Sequence, residues 1–203
     1  MLRNLFLLFN LLWSIAVYAN SPVLMVFGDS LSAAYKIAAT QGWVTLLEQR
    51  LQDQGYDYQV INASISGETT GGGLSRLPPL LQQYSPKIIV IELGANDGLR
   101  GLSLQQMRDN LTTMIEKSKQ AGAKILLLGM RIPPNYGKSY SESFHESYLT
   151  LSRKFEVPLV PFFLEKVADR PQLMQADALH PTAEAQKQLL DNVWQALSPL
   201  LSH

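Results

Sequence analysis

The chain reads as an α/β protein in which a parallel sheet is covered by helices on both sides, giving three layers. Three observations carry that reading. Apolar runs of strand length recur along the sequence, amphipathic helical patterns lie between them, and the runs are apolar almost without interruption, as in strands buried on both faces. Strand and helix alternating in this way build parallel sheets with helical crossovers, and such sheets hold their ligands outside the carboxyl ends of the strands.

Taken in order, Met1-Leu2-Arg3 supplies a short positive start, Leu5 to Val17 an apolar stretch, and Val17-Tyr18-Ala19 a small-residue cleavage pattern. These mark residues 1–19 as a secretory signal peptide cut after Ala19, leaving 20–203 as a single domain, periplasmic or secreted. The stretch is shorter than the roughly 20 residues a spanning helix needs. Asn10 and Ser14 also interrupt it, and there is no cysteine for lipid attachment, so no stable membrane anchor is expected after cleavage. Strands are predicted at Val23–Phe27, Tyr58–Ile61, Ile88–Leu93 and Ile125–Leu128, with a weaker one at Val157–Phe162. Trp43, Leu46, Leu47 and Leu51 share one helical face, as do Leu104, Met107, Leu111, Met114 and Ile115. Gly71-Gly72-Gly73 reads as a flexible turn, since no phosphate-cradle pattern surrounds it. Pro133 to Gly137, followed by Ser139, Ser141 and Ser143, reads as a mobile loop bordering a pocket, to which Ile132, Pro133, Tyr136 and Phe162 offer apolar surface. A closing helix is expected over Thr182–Leu200, with Pro181 at its first turn and Leu189, Leu190, Val193 and Leu197 as its stripe.

Composition narrows the function. At 203 residues the chain fits one domain with a core that needs neither disulfide nor structural metal. Lys+Arg and Asp+Glu both number 17, so no global basic field draws it to nucleic acid. The absence of cysteine excludes disulfides, thiolate catalysis and Cys-based metal sites, and no His-Glu-x-x-His pattern is present, so no metal and no cofactor is expected. Asn62-Ala63-Ser64 and Asn110-Leu111-Thr112 match glycosylation acceptors, but the first ends a predicted strand and the second lies in a predicted helix.

The chemistry is concentrated in two distant segments. Gly28-Asp29-Ser30-Leu31 closes the first strand, and Asp177-Ala178-Leu179-His180-Pro181 stands just before the last helix. By itself Asp29 or Ser30 would serve as an N-cap of a following helix, and Asp177 as a turn residue. Together, a serine exposed at a sheet edge and a late Asp-x-x-His read as a nucleophile with its base and the acid that orients the base. Of the three histidines, His180 is held in extended geometry by Pro181, His203 is terminal, and His145 sits in a polar helix read as a solvated face. Acyl transfer also requires donors aimed at a developing oxyanion. The Ser30 backbone N–H is one candidate; Gly67, after the second strand, and the Asn96 side chain, after the third, are the others.

The blocks Gly28-Asp29-Ser30-Leu31-Ser32, Gly67, Gly94-Ala95-Asn96-Asp97 and Asp177-Ala178-Leu179-His180-Pro181 resemble, in order and spacing, those of the SGNH or GDSL hydrolases. Asn62 to Gly67 and Arg131 to Gly137 are most similar to the small exported bacterial thioesterase, lysophospholipase and arylesterase enzymes. Ala95 stands where relatives often carry glycine. The resemblance implies a five-stranded parallel sheet of flavodoxin-like form, Ser30 as nucleophile, His180 as base and Asp177 as its partner. It also implies an oxyanion hole from Ser30, Gly67 and Asn96. The expected partner is a small-molecule acyl ester or thioester, and a monomer is expected. Two other readings stand beside it: a carbohydrate O-acetylesterase with the same machinery, and a non-catalytic module holding lipid or glycan in the cleft.

Overall fold

The computed structural model describes residues 21–202; the signal-peptide reading at 1–19 and His203 lie outside the described residues. Five parallel strands form one sheet: β1 (Val23–Gly28), β2 (Gln59–Asn62), β3 (Ile88–Glu92), β4 (Lys124–Leu128) and β5 (Leu159–Val160). Their order is β2-β1-β3-β4-β5. The chain therefore winds outward in one direction from β1 to β2 and in the other from β3 onward, leaving a crevice between the carboxyl ends of β1 and β3 where such sheets bind ligands. Met25 lies opposite Ile61 on one side and Ile89 on the other, which fixes the register at the centre of the sheet.

Helix α1 (Trp43–Asp53) packs on α6 (Gln186–Leu197), while α2 (Thr70–Tyr84), α4 (Leu104–Gln120) and α5 (Lys138–Phe155) pack in series as the other layer. The short α3 (Ala95–Leu99) follows β3. The expected stripes meet the core: Trp43, Leu47 and Leu51, then Met107, Leu111, Met114 and Ile115, then Leu189, Leu190, Val193 and Leu197 are all buried.

Several expectations are corrected. β1 and β3 are buried almost throughout, but β2 is an edge strand with exposed ends, paired on one side alone, to β1. β5 shrinks to two residues. The last helix begins at Gln186, since Pro181 is taken up in a bridge to Met174 and Thr182–Ala185 form a turn. No helix follows Ser30: residues 29–36 make successive turns, with Ala34 and Lys36 in the left-handed region at φ +55°. Gly71, Gly72 and Gly73, read as a turn, lie inside α2, where Thr69 caps the Gly72 N–H. A side chain at Gly73 would meet Leu93 at 2.5 Å, so the glycine lets this helix close onto the sheet. Among the described residues no helix is long and apolar enough to cross a membrane.

Candidate active site

The crevice between β1 and β3 opens into a cavity of about 400 Å³. Ser30 reaches it from the loop after β1 and Asn96 from the first turn of α3, at the end of β3. Gly94 makes that turn possible. Its φ is +118°, and a Cβ there would stand 2.3 Å from the Tyr148 hydroxyl, which donates to the Leu93 carbonyl.

His180 arrives from the opposite direction, on the loop before α6. Its Nε2 lies 2.9 Å from Ser30 Oγ and its Nδ1 2.9 Å from Asp177 Oδ2, so three side chains separated by 150 positions form one hydrogen-bonded line. The Asp177 spacing works because Oδ1 turns back to accept the backbone N–H of both Leu179 and His180, each at 3.0 Å, while Oδ2 is left for the ring. Partial burial alone would raise the Asp177 pKa. The two N–H donors and the imidazole outweigh it and lower the value to about 2. A carboxylate that stays ionised fixes the tautomer with Nδ1 protonated and Nε2 free to take a proton from the serine hydroxyl.

Two residues without a motif hold this loop. Gln175 donates its backbone N–H to the His180 carbonyl at 2.7 Å and its side-chain amide to the carbonyls of Pro181 and Tyr35, both at 2.9 Å. The Tyr35 ring in turn packs against the imidazole, centroid to centroid 4.4 Å. Gln175 was not legible because its role depends on a partner 140 positions away.

Asp29, read only as a cap, is 1 % exposed and shapes the other side of the site. Its Oδ1 accepts the Leu31 N–H at 3.0 Å and its Oδ2 accepts Asn96 Nδ2 at 2.9 Å. One amide proton of Asn96 is thereby tied down and the second remains for a ligand. Burial raises the Asp29 pKa to about 6, against the opposing pull of the Leu31 and Asn96 donors and of His180. The loops carrying these groups are tied together deeper in the molecule. Buried Asp97 accepts both the backbone N–H and the hydroxyl of Thr70, at 2.8 and 2.6 Å, locking the start of α2 to α3.

Ser30, Asn96 and His180 thus line one cavity, with Asp177 behind the histidine. Gly67 is not among the lining residues; it is exposed on the loop after β2, its carbonyl held by Arg100 at 2.9 Å. Ile132, Pro133 and Phe162 do line the cavity, while Tyr136 is not among its lining residues. His145 is half-buried, its Nδ1 3.2 Å from the Met130 carbonyl, and is not the solvated residue expected. Asn62 ends β2 and donates to the Ser32 carbonyl, and Asn110 is buried in α4, as the sequence placed them.

The sequence model of the GDSL-like Lipase/Acylhydrolase family matches residues 26–188. The chain belongs to that family. As a GDSL acylhydrolase it is 52 % identical over 183 residues to "Esterase TesA" of Pseudomonas aeruginosa, a match covering 90 % of this chain and 91 % of that one. It is 44 % identical to "Thioesterase 1/protease 1/lysophospholipase L1" of Escherichia coli K12, over 91 % of this chain and 88 % of that one. Among solved structures, the psychrotrophic esterase EstA from Pseudoalteromonas sp., inhibited by monoethylphosphonate, superposes with a TM-score of 0.84 at 44 % identity, covering 87 % of this chain and 97 % of that one. The five-stranded parallel sheet flanked by helices is the fold of these hydrolases, and the chain is an ester hydrolase of their kind.

Proposed function

We propose that this GDSL acylhydrolase cleaves acyl esters and thioesters through an acyl-serine intermediate, with lysophospholipids, acyl thioesters and aryl esters as substrates. The observation that carries the mechanism is the hydrogen-bonded line from Ser30 Oγ through His180 to Asp177 at the mouth of an apolar cavity. Ser30 attacks the acyl carbonyl as His180 Nε2 takes its proton; the same imidazole then protonates the leaving alcohol or thiol. Water, deprotonated by His180, repeats the attack and frees the acid. The oxyanion is held by the free Asn96 amide proton and the Ser30 N–H, each such donor being worth about 10²-fold or more in rate. Gly67 is assigned as the third donor by the family pattern rather than by the cavity wall.

The lining favours an acyl chain over a sugar. Twelve of its seventeen residues are apolar, among them Met130, Ile132, Phe162 and Leu164, whereas a carbohydrate would require polar partners along its length. That speaks against the O-acetylesterase reading, and the assembled Ser30–His180–Asp177 line speaks against a binding module. The signal-peptide pattern at 1–19 supports export, and with it an envelope lipid ester as the natural substrate.

The test is one panel of initial rates for the mature protein and its Ser30→Ala variant on aryl esters from acetyl to palmitoyl, a long-chain acyl thioester and lysophosphatidylcholine. Serine-dependent rates that increase toward longer chains are expected. Wild-type turnover by Ser30→Ala would end the mechanism, and activity confined to acetyl esters would favour the deacetylase.

A further inference from the structure

Directly behind Ser30, a second carboxyl group lies against Asp29. Glu92, the last residue of β3, is wholly buried, and so is Asp29, to 1 %. Its Oε2 accepts the Asp29 backbone N–H at 3.2 Å and the Ser32 hydroxyl at 2.8 Å, while Trp43 Nε1 approaches the same hydroxyl at 3.3 Å. Among the described residues no hydrogen-bond donor reaches Oε1. Gly28, paired with Glu92 across the sheet, leaves this room: a Cβ there would lie 2.6 Å from Oε2.

Two ionised carboxylates cannot share a dry pocket cheaply, and one of the two must be neutral. The hydrogen bonds decide which. Asp29 accepts two donors, one on each oxygen, as a carboxylate does. Glu92 accepts both its donors on Oε2, as a carbonyl oxygen does, and its carboxyl bonds the Asp29 carboxyl in the sense that raises the Glu92 pKa and lowers that of Asp29, as when Glu92 carries the proton and donates it. We propose that Glu92 is a positioning residue held as the neutral acid: it fixes the main chain at Asp29 and the Ser32 turn, and leaves Asp29 the single anion that orients Asn96.

The surrounding groups agree with that assignment. Burial and the Asp29 charge push the Glu92 pKa well above the ordinary carboxylate range. The other titratable neighbours are Tyr148 from α5, kept neutral by burial, Asp97 from α3, bonded to Thr70, and His180, whose charge acts on Asp29. The arrangement also serves the chemistry. A lone anion at Asp29 favours the imidazolium that forms on His180, whereas a second charge at Glu92 would oppose the oxyanion held by Asn96.

This inference rests on the proposed hydrolytic role of Ser30, and its test separates the two. Glu92→Gln keeps a neutral acceptor and donor; Glu92→Leu keeps the volume and removes both. Expected are a kcat within a few-fold of wild type for Glu92→Gln, and a loss in kcat of about 10- to 100-fold with little change in KM for Glu92→Leu, since unpaired Ser32 and Asp29 groups let the oxyanion side drift. Infrared difference spectra of wild type against Glu92→Gln at neutral pH should show a protonated-carboxyl band present only in wild type, a readout that stands even if Glu92→Leu does not fold. A Glu92→Gln variant as impaired as Glu92→Leu, wild-type kcat in folded Glu92→Leu, or no such band would each overturn the proposal. An active Ser30→Ala would instead sink the hydrolytic role while leaving the band in place.

Discussion

Ser30 and Asn96 stand just beyond β1 and β3, central strands buried almost from end to end, whereas much of the apolar side of the cavity comes from the segments after β4 and β5. On that second side Met130 to Pro133 follow β4, and Phe162, Leu164 and Ala168 follow a β5 of only two residues at the edge of the sheet. The difference follows from what each half must do. Hydrogen bonds of 2.9 Å between serine, histidine and aspartate fail when a group drifts by a fraction of an ångström, so Ser30 is mounted where the sheet is most constrained, while the loop of Asp177 and His180 is pinned by Gln175 and by the backbone N–H groups that Asp177 accepts. Apolar contact with an acyl chain is non-directional and tolerates a looser frame.

The sharpest break of this comparison comes from the polar half. Asp177→Ala leaves His180 without the partner that fixes its tautomer, and kcat should fall by about 10³- to 10⁴-fold. The loss should be the same for acetyl and decanoyl aryl esters, because Asp177 touches no acyl chain. A loss that grew with chain length would mean that the two halves are not separable. Next in size, Asn96→Ala removes the side chain proposed as an oxyanion donor and should lower kcat by about 10²-fold or more with KM little changed. If KM rose and kcat held, Asn96 would be binding the ground state instead.

The apolar half should respond differently. Ala168 is exposed at the rim, so Ala168→Trp fills the cavity without disturbing the core. Each methylene excluded loses about 0.8 kcal/mol, or roughly fourfold in kcat/KM, so the preference for long chains should collapse stepwise while acetyl-ester turnover stays near wild type. Equal loss on acetyl esters would show the bulk of tryptophan reaching the reacting groups.

How far the sequence disclosed this division depends on the range of the interactions. The positions of Ser30 and Asn96 just beyond strand ends were legible because the strands announce themselves by unbroken apolar runs, and the pairing of Asp177 with His180 because their spacing is local. The helix α2 was not. Three glycines near its start and Pro78 and Pro79 within it argue against helix by propensity, yet Thr69 caps it, Thr70 ties it to Asp97, and Leu77 and Leu81 bury against the core. Tertiary contacts outweigh propensity there. The turns after Ser30 were equally hidden, since Ala34 and Lys36 adopt positive φ without being glycine or asparagine. Glu92 left a visible trace, an acid closing an otherwise apolar strand, but its partner Asp29 lies 63 positions away and only the fold joins them.

The smallest expected effect compares the two aspartates through pH. Asp177 holds its proton less tightly in the folded protein, its pKa lowered from 3.8 to about 2, so it contributes stability that is present above 3.8 and lost as pH falls toward 2. Asp29 is the reverse: burial raises its pKa from 3.8 to about 6, so its contribution is greatest below 3.8 and declines as pH rises through 6. Urea unfolding of Asp177→Asn should therefore show a deficit relative to wild type that shrinks as the solution is made acidic. For Asp29→Asn the deficit should shrink as the solution goes from near pH 4 to near pH 7, because wild type alone bears the rising cost of a buried charge. The Asp177 effect should be modest, since its side chain is 32 % exposed and solvent screens the pair. Parallel pH profiles for the two variants would show that both carboxylates feel the same surroundings, and the assignment of Asp29 as the buried anion would fail with them.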